Sequence, residues 1–103
     1  MTSAVLHILL SLADDDRHGL GIAADVKAFT GGRLRLGPGT LYGTIKRLLD
    51  AELVEDLGSP DPKDDDPRRR YYRITAKGRR ALEHETRALA STLAVARRKL
   101  KTS

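Results

Sequence analysis

Two groups of residues in this sequence are suited to chemistry, and both suit contact with a polyanion. The first is Thr40, Tyr42, Gly43, Lys46 and Arg47. Leu41, Ile45, Leu48 and Leu49 fall on one side of a helix at about 100° per residue, which leaves Thr40, Gly43, Lys46, Arg47 and Asp50 on the other and Tyr42 at its flank. That outer face starts small and turns basic, and Gly43 leaves room for close approach of the backbone. The second group is Arg68, Arg69 and Arg70. Fixed guanidinium groups make strong charge-assisted contacts with phosphate. Asp61, Asp64, Asp65 and Asp66 precede them closely, so salt bridges compete with that role.

Enzyme chemistry finds little to use. Gly32 and Gly37 have the spacing of a phosphate loop, but Pro38 stands where that loop places its lysine, so no side chain would reach the terminal phosphates. His7, His18 and His84 are scattered and have no paired carboxylates at ligand spacing. His7 lies in an apolar helix and reads as a packing residue; His84, between Glu83 and Glu85, reads as surface. With no cysteine there is neither a disulfide framework nor a thiolate zinc site, and no cofactor is expected. Stability must come from packing or from a second copy.

The elements that position these residues follow from periodicity. Ala4 to Ala13 is apolar on nearly every side, the pattern of a helix covered on more than one face. Asp14, Asp15 and Asp16 form a polar turn. Gly19 to Phe29 is a second helix with Ile22, Val26 and Phe29 on one face, ended by Thr30, Gly31 and Gly32. Arg33 to Leu36 alternates basic and apolar residues and reads as a very short strand. Gly37-Pro38-Gly39-Thr40 opens the third helix, proline suiting a first turn where its missing N–H has no partner to lose. Leu53 to Leu57 and Arg69 to Ile74 form a β-hairpin, with Tyr72 and Ile74 on one face and Tyr71 and Arg73 on the other. Its long polar tip holds three prolines, which prevent regular pairing. Thr75 caps a final helix running to about Leu100.

At 103 residues the chain holds one small globular unit. The pI near 9.9 and net charge of +5 hide an asymmetry. Residues 1–67 hold seven Lys/Arg against twelve Asp/Glu, and residues 68–103 hold twelve against two, so the halves carry −5 and +10. The contact surface has to be found locally rather than from the sum. The apolar run at Ala4 to Ala13 is too short to span a bilayer and lacks the basic start of a signal peptide, which predicts a cytoplasmic protein.

Helix, helix, helix, hairpin, helix is the order of a winged helix-turn-helix with an appended terminal helix, a mainly α fold with a small β-hairpin. In four stretches the sequence resembles the PadR family of transcription regulators: His18-Gly19, Gly32 to Tyr42, Ile45 to Val54 and Arg68 to Gly78. Gly-Pro-Gly-Thr-Leu-Tyr followed by Arg-Arg-Tyr-Tyr about thirty residues later is the specific part. The resemblance implies a bacterial regulator of double-stranded DNA, repressing by default, whose third helix enters the major groove while the hairpin follows the flanking backbone. Thr40, Tyr42, Gly43, Lys46 and Arg47 are then the groove candidates, and Arg68, Arg69 and Arg70 the wing candidates. Many similar chains carry an aromatic residue after His-Gly, where this one has Leu20. The single helix after the wing matches the compact branch of the family. Some relatives release DNA when a small molecule occupies the dimer interface; with four aromatics and no Trp, this chain is poorly equipped to stack a flat ligand, and an effector's identity stays open.

Leu82, Thr86, Leu89, Leu93, Ala96 and Leu100 recur at alternating spacings of four and three, a seam suited to a partner helix. A helix of that length outruns what one small domain covers, which predicts a homodimer. Residues 1–75 are thus the DNA-binding unit and residues 76–103 the dimerisation helix. The alternative is a winged-helix module that binds another protein through the same faces.

Overall fold

The computed structural model describes residues 1–61, 63 and 66–101. It contains α1 (Ser3–Leu12), β1 (Arg17–His18), α2 (Gly19–Phe29), α3 (Pro38–Asp50), β2 (Val54–Gly58), a short 3-10 turn (Pro67–Arg69), β3 (Tyr71–Ile74) and α4 (Ala76–Leu100). One core joins them: Ile8, Leu9 and Leu12 of α1, Ile22 and Val26 of α2, Leu41, Ile45 and Leu48 of α3, Val54, Tyr72 and Ile74 of the sheet and Leu82 of α4. The all-round apolarity of α1 follows, since it touches all the other helices or their strands from the centre.

The starts of α1, α2 and α4 are each fixed by a side-chain acceptor, whereas α3 opens on Gly37 and Pro38 without one. Thr2 Oγ1 accepts from the Val5 N–H, His18 Nδ1 from the Gly21 N–H at 2.8 Å and Thr75 Oγ1 from the Gly78 N–H at 3.0 Å, each satisfying a donor without a partner inside its helix. α2 ends at Gly31 and Gly32, both with positive φ. α3 closes with the Glu52 N–H on the Leu49 carbonyl and the Leu53 N–H on the Leu48 carbonyl, the double bond of a Schellman cap. Glu52 takes the left-handed position, at φ 62°, where glycine is usual.

Three expectations are corrected, and the predicted hairpin gains a third strand. Arg33–Leu36 forms no strand: the Leu34 N–H bonds to Thr30 Oγ1, and Leu34 and Leu36 pack on the core as anchors of a loop. The sheet instead has three strands in the order β1-β3-β2, with Arg17 opposite Tyr72 and His18 opposite Tyr71. Two residues are too short to show alternation; tertiary ties hold them there. Arg17 Nε donates to the Ser11 carbonyl, and Arg73 on β3 grips Asp16 through Nη2 at 2.9 Å. The wing's return strand begins at Tyr71 rather than Arg69, because Asp66 caps the turn before it. Phe29 does not join Ile22 and Val26 inside; its ring is half exposed and stacks on His7, with centroids 5.9 Å apart and planes 8° from parallel.

Candidate nucleic-acid interface

The geometry of α3 separates its two sides cleanly. Leu41, Thr44, Ile45 and Leu48 are buried, while Thr40, Gly43, Lys46, Arg47 and Asp50 are exposed. Thr44 was not singled out from sequence, yet its position between Leu41 and Leu48 puts it on the inner side. Nothing lies within 4 Å of a Cβ built on Gly39 or Gly43, so the first half of the outer face is open. Among the described residues neither Lys46 nor Arg47 makes an ion pair; Arg47 Nη2 donates to Thr44 Oγ1 at 3.3 Å. Two cations on an open helix face are available to an incoming anion.

Tyr42 behaves differently. Its hydroxyl is buried and has no hydrogen-bond partner among the described residues. The ring lies against Gly19 at the start of α2, so only part of it faces outward. Desolvation raises the Tyr42 pKa; the Asp66 carboxylate adds to the rise and the Arg68 guanidinium opposes it.

On the wing, Arg68 is held by Asp66: Nε lies 3.0 Å from Oδ1 and Nη2 2.6 Å from Oδ2. These bonds, with the Arg68 backbone N–H on the same carboxylate, lower the Asp66 pKa to about 2. Arg70 pairs across the hairpin, its Nε donating to Asp56 Oδ2 on β2 at 2.8 Å. Arg69 is exposed beside them. Asp61 accepts from the Lys63 N–H; Asp64 and Asp65, also named as competitors for the arginines, lie outside the described residues. Between the wing and the start of α2 runs an open cleft of about 320 Å³, with Leu20, half exposed, on its edge.

The terminal helix projects from this body, giving the molecule a 60 Å long axis. Its first turns belong to the core: Leu82 is only 5% exposed, and Gly78 packs so closely that a Cβ would overlap the Leu53 carbonyl oxygen. Beyond them Thr86 is exposed and Ala96 half-buried, and Leu89, Leu93 and Leu100 are 44%, 49% and 78% exposed. Leu82 therefore serves this chain's own core, whereas the later leucines present an uncovered apolar stripe.

Sequence reasoning passed over Arg33 and Arg35, both exposed in the loop before α3. Their alternation with Leu34 and Leu36 was the available signal, and it reads equally well as a strand.

Over residues 6–84 the chain matches the Transcriptional regulator PadR-like family. It is 39% identical over 85 residues to the Transcriptional regulator Rv3488 of Mycobacterium tuberculosis, covering 82% of this chain and 73% of that protein. It is also 37% identical over 87 residues to an uncharacterized 37.1 kDa protein in transposon TN4556 of Streptomyces fradiae; the match takes in 84% of this chain but only 23% of that protein. Among solved structures, a transcriptional regulator from Clostridium thermocellum shares the fold with a TM-score of 0.79 at 22% identity, over 98% of this chain and 99% of that one. The putative transcriptional regulator TA0346 from Thermoplasma acidophilum gives 0.73 at 25% identity, over 97% and 92%.

Proposed function

Starting from the premise that this chain belongs to the PadR-like family of transcriptional regulators, we propose that it binds double-stranded DNA sequence-specifically, as a cytoplasmic homodimer that represses transcription from an inverted-repeat operator. The observation that carries the reading is the outer face of α3, where Thr40, Gly43, Lys46 and Arg47 are exposed and, among the described residues, neither cation is engaged in an ion pair. Such a face fits the major groove, and its N-terminal residues meet base edges, with the exposed part of the Tyr42 ring at the flank. Arg68, Arg69 and Arg70 then follow the flanking phosphates, and the contacts of Arg68 with Asp66 and Arg70 with Asp56 hold their guanidinium groups in fixed orientations.

The dimer follows from the stripe of Leu89, Leu93 and Leu100, with Ala96 between them, which a second α4 would cover. In this arrangement residues 1–75 read DNA and residues 76–103 join the protomers. Selection of bound sequences from a random duplex pool tests the whole reading. An enriched inverted repeat with half-sites about one helical turn, roughly 34 to 36 Å, apart is expected. A pool that shows no enrichment would overturn it.

A further inference from the structure

The loop between α2 and α3 carries two arginines to which neither the fold nor the contacts of the wing assign a role. Thr30 ends α2 by donating from Oγ1 to the Val26 carbonyl at 2.7 Å, and the same oxygen accepts from the Leu34 N–H at 3.1 Å. Gly31 and Gly32, at φ 61° and 80°, turn the chain, and Leu34 and Leu36 then seat on the core. The loop is thus pinned at three points, and its alternate residues have opposite fates. Arg33 and Arg35 are exposed, and among the described residues neither makes an ion pair or a side-chain hydrogen bond. In a chain whose other cations on this half of the molecule include Arg17, tied to Asp14 and Asp25, two unengaged guanidiniums on an anchored loop stand out.

Their location says which anion they suit. Arg35 is two residues before Gly37, the cap of α3, so its Cα lies within about 7 Å of the end of the helix that carries the open face. Leu34, Leu36 and the inner residues of α3 all pack on one core, so Arg33 and Arg35 project away from it, as Thr40, Lys46 and Arg47 do. A major groove is about 12 Å wide. A helix end inside it leaves residues just upstream at the wall, where the phosphates are.

We infer that Arg33 and Arg35 form a second phosphate clamp, gripping the DNA strand that borders the groove filled by α3 beside the start of that helix. This rests on the DNA-binding reading above and extends it. The clamp carries no base information, so it sets affinity and register while α3 sets sequence.

The test uses the full-length protein and a duplex taken from the selection experiment, with affinity measured between about 50 and 200 mM salt. Each phosphate contact contributes about 0.9 to the logarithmic slope, so Arg33→Gln with Arg35→Gln, which removes two contacts from each protomer of the dimer, should flatten it by about 3.6. Over that fourfold salt range the wild type should lose roughly 150-fold more affinity than the variant. Base preference should stay the same. A control with Arg97→Gln and Arg98→Gln, at the far end of α4, should keep the wild-type slope. If wild type binds but the loop variant keeps its slope, or if the control flattens equally, the clamp is refuted while the DNA-binding reading stands. Wild type that binds no duplex refutes both.

Discussion

A Cβ placed on Gly19 of α2 would stand 2.6 Å from the hydroxyl of Tyr42 on α3, closer than packed atoms approach. The two helices of the helix-turn-helix are therefore keyed together by the absence of one side chain. Gly19→Ala forces the Tyr42 ring outward or the helices apart, and we expect a loss of about 1 to 3 kcal/mol in stability together with weakened DNA binding. Tyr42→Phe separates the packing role from the hydroxyl. Since that hydroxyl is buried without a partner among the described residues, its removal should leave stability unchanged or raise it by up to about 1 kcal/mol. Urea denaturation of both variants checks the pair; a Gly19→Ala protein as stable as wild type would show that the contact does not constrain the fold.

The recognition face gives a prediction about affinity without stability. Lys46 and Arg47 are exposed, and the core residues Leu41, Ile45 and Leu48 hold α3 without them. Lys46→Ala and Arg47→Ala should each cost about 1 to 3 kcal/mol of operator binding, while circular dichroism and the thermal midpoint stay close to wild type. Titration of the selected duplex by fluorescence anisotropy measures the first effect. Equal affinity for the double variant would remove α3 from the interface.

What the sequence made legible, and what it hid, divides along the range of the forces involved. The side of α3 that faces the core was readable because Leu41, Ile45 and Leu48 repeat at the helical period, a signal contained within two turns. The caps at Thr75 and Gly37-Pro38 were equally local. β1 was hidden because its two residues are strand only through their pairing with Tyr71 and Tyr72, more than fifty residues away. For the same reason the loop of Arg33–Leu36 looked like a strand: alternation records which side chains are buried, and an anchored loop buries every second residue just as a sheet edge does. The partners of the wing arginines were half visible. Asp66 is two residues from Arg68, but Asp56 reaches Arg70 only across the hairpin.

The wing pair also has a pH signature. The ordinary aspartate value is 3.8, and hydrogen bonds from Arg68 lower that of Asp66 to about 2. A depressed carboxylate pKa means that the pair's contribution is complete above the unfolded value and is lost as pH falls from about 4 through about 2. Between pH 5 and 9 the contact should therefore be constant, and any change in DNA affinity across that interval must arise elsewhere. Carbon-detected NMR of the Asp66 carboxyl should give a midpoint near 2 in the native protein and return toward 3.8 in Arg68→Gln. A native midpoint near 3.8 would mean that Arg68 leaves Asp66 in solution.

The last prediction concerns assembly. α4 spans 25 residues, about 37 Å at the helical rise, and only its first turns are anchored, through Gly78 and Leu82. Past that point Leu89, Leu93 and Leu100 stay largely exposed within one protomer, while Arg87, Arg97, Arg98 and Lys99 are exposed outside the leucine positions. An apolar stripe with basic flanks calls for a partner that covers the leucines and leaves the cations in water, which a second copy related by a two-fold axis does. Because Leu89 and Leu93 are not part of the protomer's core, Leu89→Lys with Leu93→Lys should leave the body of residues 1–82 folded while bringing like charges together at the two-fold seam. We expect a folded monomer by sedimentation velocity at micromolar concentration, with operator affinity reduced by orders of magnitude because the two half-sites are no longer engaged together. A wild type that sediments as a monomer under the same conditions, or a double-lysine variant that remains a dimer, would show that α4 does not join the protomers through this stripe.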